Sequence, residues 1–202
     1  MIVTKYHNDD CVKFSDSYEG QFDSVVTDPP YGIEYLGNDW DSYQNCIAFQ
    51  KSTWESISKP LKPGGYLLIF GASKTFHRLT CAVEDSGLKI RDVLMWLYGQ
   101  GMPKSQNIGK KDPNWEGWGT GLKPCYEPIL LAQKPISEKT IVKNFQKHGV
   151  GGINIEESRL ESGRWAGNVL HDGSDEVEEQ FAKYGERGNG WNRNYGVEDY
   201  QG

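Results

Sequence analysis

A mostly parallel α/β sheet with flanking helices, followed by an irregular C-terminal extension, is the fold class that three observations predict for this 202-residue chain. Apolar runs of strand length recur at residues 22–27, 66–70, 88–98 and 126–132. Helical periodicity fills the gaps between the first three, and strands alternating with helices pair in parallel. The last forty residues hold few apolar clusters, which implies an appendage rather than more core. We therefore expect an α/β unit over residues 1–135 and a separate region over 136–202.

Residues 2–6 alternate enough for a short strand, ending in the polar turn Asn8-Asp9-Asp10-Cys11. Residues 22–27 read as a buried strand that breaks at Asp28-Pro29-Pro30-Tyr31-Gly32. The Gly-, Asn- and Asp-rich stretch 32–41 is long enough to fold over a ligand. Asp41 or Ser42 is then placed to cap a helix to about residue 58, with Tyr43, Ile47, Trp54 and Ile57 as its apolar stripe. Lys59-Pro60 stops it, residues 61–65 compose a turn, and 66–70 form a strand covered on both faces. A second helix over 74–86 carries Phe76, Leu79 and Val83 on one face and ends at Gly87. Ligands of such sheets gather at the carboxyl ends of the strands, where Asp28, Phe70 and Tyr98 fall.

The stretch 99–124 has no periodicity and is too long for a passive connection. Lys104, Lys110, Lys111 and Lys123, interleaved with Trp115 and Trp118, suit phosphate contacts and base stacking; a loop pinned to the sheet by its tryptophans accounts for them equally well. A short basic helix capped at Ser137-Glu138 runs to about Lys147 and stops at Gly149. Residues 174–202, acidic and then rich in Gly and Asn, are expected to be poorly ordered.

Composition narrows the function. The net charge of −6 argues against a nucleic-acid partner until its distribution is considered. Residues 89–147 hold ten Lys or Arg against five Asp or Glu, a balance of +5, which leaves −11 elsewhere. One basic face on an acidic body has that asymmetry, although ordinary solvated lysines give the same count. The four cysteines are far apart and form no Cys-x-x-Cys pair, so they read as reduced packing residues rather than zinc ligands. No charged-then-apolar leader and no run of eighteen apolar residues occurs, so a cytoplasmic protein with no membrane partner is expected.

The chemistry concentrates in Asp28-Pro29-Pro30-Tyr31. Two consecutive prolines fix two φ angles and offer no N–H, which leaves the neighbouring carbonyls facing outward. Asp28 and the Pro29 carbonyl can then both accept hydrogen bonds from one amino group, with the Tyr31 ring beside them. Such a set suits a planar ring with an exocyclic NH2; an ordinary X-Pro-Pro turn is the plainer alternative.

Asp28-Pro-Pro-Tyr-Gly32 resembles the catalytic motif of the S-adenosylmethionine-dependent amino methyltransferases that modify adenine N6 or cytosine N4 in DNA. Gly37-Asn-Asp-Trp-Asp41, Gly64-Gly-Tyr-Leu-Leu-Ile-Phe-Gly71, Met95-Trp-Leu-Tyr-Gly99, Met102-Pro-Lys-Ser105 and the run from Gly117 to Pro135 resemble, in order, further blocks of a phage and bacterial subgroup. The resemblance implies a partial Rossmann-like methyltransferase domain acting on double-stranded DNA with the target base flipped out and stacked on Tyr31. It implies Asp28, Pro29, Pro30 and Tyr31 as catalytic residues, Asp10, Asp28 and Phe70 as contacts of S-adenosyl-L-methionine, and a target-recognition role after residue 136. Asp rather than Ser before Pro-Pro-Tyr points to adenine N6. The family binds its methyl donor through a Gly-rich Phe-x-Gly-x-Gly turn, which in this subgroup follows the target-recognition region and has no counterpart in this sequence. A second chain supplying that half, or a longer enzyme, is therefore expected; an inactive DNA-binding module is the alternative.

Overall fold

The computed structural model describes residues 3–99, 101, 105–160 and 163–182. Its regular elements are α1 (Cys11–Ser17), β1 (Phe22–Thr27), α2 (Lys51–Ser58), β2 (Leu61–Phe70), α3 (Phe76–Asp85), β3 (Lys89–Leu97), β4 (Tyr126–Gln133), α4 (Ile141–His148), β5 (Val169–His171) and α5 (Asp175–Ala182). The five strands form one sheet in the order β1-β2-β4-β3-β5. β1 runs parallel to β2, and β3 parallel to β5, while β4 lies antiparallel between β2 and β3. Four strands thus point one way, as expected of a mostly parallel sheet. β4 alone is reversed, so its start lies beside the carboxyl ends of β2 and β3, where Phe70 faces Ile129 and Leu97 faces Tyr126.

The core lies between one sheet face and the helices α2 and α3. Leu67, Ile69, Leu130 and Ala132 meet Trp54, Ile57, Leu79, Ala82 and Val83 there, all buried. Trp54 is fully buried with its indole N–H on the Ala48 carbonyl at 2.9 Å, so it pairs a large apolar surface with a satisfied donor. Truncating it to alanine would cost about 3–5 kcal/mol.

Several elements depart from the sequence reading. Residues 3–8 form no strand, because a strand needs a ladder partner and none adjoins them among the described residues. Asp10 instead caps α1, a helix not foreseen, with Oδ1 accepting from the amides of Val12 and Lys13. The helix expected from Asp41 is broken into 3-10 turns at Asp39–Asp41 and Ile47–Phe49, and α2 begins only at Lys51. The turn expected at 61–65 is the start of β2, bent by Gly64 at φ 85°. Thr140 rather than Ser137 caps α4, and Gly149 ends it in the left-handed conformation as read. Residues 175–182, expected to be poorly ordered, form α5, and three residues of the extension join the main sheet as β5. Residues 183–202 lie outside the described residues.

Candidate active site

β1 delivers Asp28 to the carboxyl-end rim of the sheet, and the prolines end the strand because they cannot continue its ladder. Beyond them the turn is tightly braced. Gly32 sits at φ 65°, and a Cβ there would lie 2.3 Å from the Phe49 ring, so this position requires glycine on two counts. Asp41, buried, accepts from the backbone amides of Gly32 at 2.7 Å, Ile33 at 3.3 Å and Tyr35 at 2.9 Å. Burial alone would raise its pKa, but these N–H groups outweigh that effect and hold the carboxyl below the ordinary value. Asp41 is thus the brace of the loop, a role its expected place at a helix start concealed.

Three further contacts fix the motif. The Cys46 thiol donates to the Pro30 carbonyl at 3.2 Å, and the Thr75 hydroxyl donates to the Tyr31 carbonyl at 2.7 Å. The Tyr31 hydroxyl donates to Glu127 Oε2 at 3.3 Å. Burial first, then the adjacent Asp28 carboxylate and Glu127, push the Tyr31 pKa well above the phenol range, so the ring stays neutral. The Pro29 carbonyl accepts no hydrogen bond among the described residues, and Asp28 is exposed. An acceptor pair next to a pinned aromatic ring can hold an amino group of a flat base while the ring covers one face.

Phe70 ends β2 on the same rim, lining with Pro30, Tyr31, Phe49 and Phe76 a small apolar niche beneath the motif. Asp10 lies at the α1 cap, with Oδ2 accepting no hydrogen bond among the described residues. Lys104 lies outside the described residues. Lys110 and Lys111 are exposed on one turn, and Trp118 is 61% exposed, packed edge-on against Trp115 at 5.7 Å. These tryptophans pair with each other and face solvent instead of pinning the loop to the sheet. Lys123 is engaged within the chain, its ammonium donating to the Gly99 carbonyl and standing 3.7 Å from Glu176. Among the described residues no cluster of His, Cys, Asp and Glu could hold a metal ion, and no helix is long and apolar enough to cross a membrane.

The family model for DNA methylases matches residues 22–194. The chain belongs to the DNA methylase family. This member is 24% identical to the type II methyltransferase M.HindIII of Haemophilus influenzae over 207 residues, covering 76% of the present chain and 65% of that protein. It is 28% identical over 123 residues to the type II methyltransferase M.HpaI of Haemophilus parainfluenzae, covering 57% and 34%. The chain thus spans about two thirds and one third of the lengths of these curated relatives. Among solved structures, TTHA0409 of Thermus thermophilus superposes with a TM-score of 0.50 at 20% identity, covering 81% of this chain and 65% of that one, a likeness of fold.

Asp28 and Phe70 share the rim and offer a carboxylate and an aromatic edge. Among the described residues β1 pairs only with β2, so its other edge carries no strand there, and Val26 within it is 67% exposed. Between residues 3–9 and α1, reaching the first residue of that strand, runs an open groove of about 610 Å³, lined by Val3, His7, Phe14, Tyr18 and Phe22 among others.

Proposed function

We propose that this methylase transfers a methyl group to an exocyclic amine in double-stranded DNA, adenine N6 being the target. The observation that carries the reading is the Asp28-Pro29-Pro30-Tyr31 turn, held open-handed at the end of β1 with the Pro29 carbonyl unpartnered among the described residues. S-adenosyl-L-methionine supplies an electrophilic methyl. The residues of this chain do the rest: Asp28 and the Pro29 carbonyl accept the two N–H groups of the amine, which favours a pyramidal nitrogen with its lone pair free. Tyr31 stacks on the flipped base, at an unstacking cost of a few kcal/mol that its contact area offsets. The preference for adenine is supported by Asp, in place of Ser, ahead of Pro-Pro-Tyr. Lys104, Lys110, Lys111, Lys123 and Trp118 meet the duplex, and residues 136–202 contribute to target choice.

The bare edge of β1 supports a further part of this proposal. An α/β segment carrying the donor-binding Gly-rich turn pairs with that edge and fills the groove toward residues 3–9, whether it comes from the same polypeptide or a second chain. A free edge with an exposed valine is otherwise a site for unwanted pairing. The setting is the cytoplasm of a bacterium or of a phage-infected host.

Incubation with duplex DNA and methyl-labelled S-adenosyl-L-methionine, followed by nucleoside digestion, tests the reading. N6-methyladenine is expected once the donor-binding segment is present. N4-methylcytosine would overturn the adenine assignment. Salt-dependent DNA binding with neither donor binding nor incorporation would replace the enzyme with a DNA-binding module.

A further inference from the structure

Because β4 runs against its neighbours, its first residues reach the rim that the other strands reach with their last, and Glu127 thereby meets Tyr31 across 96 residues of sequence. The same carboxylate also faces Tyr98, which follows β3 and whose pKa is raised by burial and then by Glu127 and Cys125. Glu127 is half-buried, with one side of its carboxyl group toward solvent.

A neutral phenol has one proton to donate. Two carboxylates stand beside the Tyr31 hydroxyl, Asp28 and Glu127. Donation to Asp28 would occupy an acceptor site that the base amine requires; donation to Glu127 leaves Asp28 open. The hydroxyl's well-directed hydrogen bond goes to Glu127, at 3.3 Å, while Asp28 stands close enough to compete for the same proton. This contact also ties down the far end of a ring whose backbone end is held by Thr75.

We infer that Glu127 is a positioning residue: by accepting the Tyr31 hydroxyl it keeps Asp28 free for the target amine and fixes the ring on which the base stacks. This rests on the reading of the turn as an amine clamp. Glu127 touches neither base nor donor in this role, and it acts through Tyr31 alone. The consequence is an unusual coupling, in which losing the Tyr31 hydroxyl repairs the loss of Glu127.

Two measurements test it. In the full chain with 3-fluorotyrosine at position 31, the 19F resonance is expected to move in Glu127→Ala and to return most of the way in Glu127→Gln, which retains an acceptor oxygen. An unmoved resonance in Glu127→Ala would overturn the contact. In the methylating form of the protein, Glu127→Ala is expected to lower kcat roughly tenfold, with Glu127→Gln close to the parent. Adding Tyr31→Phe to Glu127→Ala is expected to raise kcat several-fold above the single variant, which mere loss of folding would not permit. A double variant no faster than Glu127→Ala sinks the inference. A parent that transfers no methyl overturns the clamp reading, and this inference with it, whereas failure of the inference alone leaves the parent active.

Discussion

Residues 28–41 and residues 105–124 are both irregular, both belong to the proposed DNA-facing machinery, and are held in opposite ways. The first is over-determined: Asp41 within it, and Cys46, Thr75 and Glu127 from outside, fix different backbone or side-chain atoms of it. That bracing sustains left-handed φ angles at Glu34 and Leu36, neither a glycine, at a strain of about 1 kcal/mol or more each. The second closes mainly on itself, through Ser105 to the amides of Thr120 and Gly121, the Asn107–Gly119 bridge and the Trp115–Trp118 pair. Hydrogen bonding to an amine is directional and demands fixed acceptors, whereas attraction to a phosphate tolerates compliance.

The sharpest way to break the comparison is at the exposed tip of the braced turn. Asp28→Ala is expected to reduce methyl transfer by a factor of about 10³ or more, since it removes an acceptor whose partner is charged in the transition state. Its melting temperature should match the parent's, because Asp28 is exposed. Single-turnover transfer and thermal melting, run on the same samples, check both halves; retained turnover would strip Asp28 of its role.

One layer beneath, Asp41→Ala leaves three backbone amides without their acceptor and should cost roughly 3 kcal/mol, together with much of the activity. Its charge has a pH signature. The folded-state pKa lies below the ordinary 3.8, so the stabilisation is present above that value and is lost as pH falls through the folded pKa. Denaturant titrations from neutral pH down to strongly acidic pH should show a steeper acid decline in the parent than in Asp41→Asn. Parallel declines would mean that the brace does not depend on its charge.

The two regions also differ in how much of them could be read from the chain. β1 and its proline break were legible because an apolar run and two prolines are local signals. Asp41 was not, since a polar residue before an apolar stripe has the same composition whether it caps a helix or folds back nine residues. Its signal lay in the unmet N–H groups of residues 32–35, which need an acceptor somewhere. Glu127 was hidden by strand direction: only the antiparallel insertion of β4 puts a strand's first residues beside Asp28, and pairing sense is not written in apolar runs. The strand expected near the N-terminus failed for the converse reason, its residues having the pattern but no neighbour among the described residues. β5, three residues long, falls below what periodicity can detect.

The compliant loop should yield smaller and differently shaped effects. Lys110 and Lys111 are exposed on one turn, with their backbone amides, not their ammonium groups, holding it to Asn107 and Ile108. Replacing both with alanine should therefore leave the loop intact and remove two phosphate contacts, making the slope of log K against log salt shallower by about two. kcat at saturating DNA should not change, because no acceptor of the amine is touched. Trp118→Ala should do the reverse, weakening binding by about 1 kcal/mol with the salt slope preserved, since stacking releases no counterions. Affinities measured across a salt series separate these outcomes. A lysine pair that altered kcat, or a tryptophan that altered the slope, would mean that the loop is coupled to the rim and that its independence is only apparent.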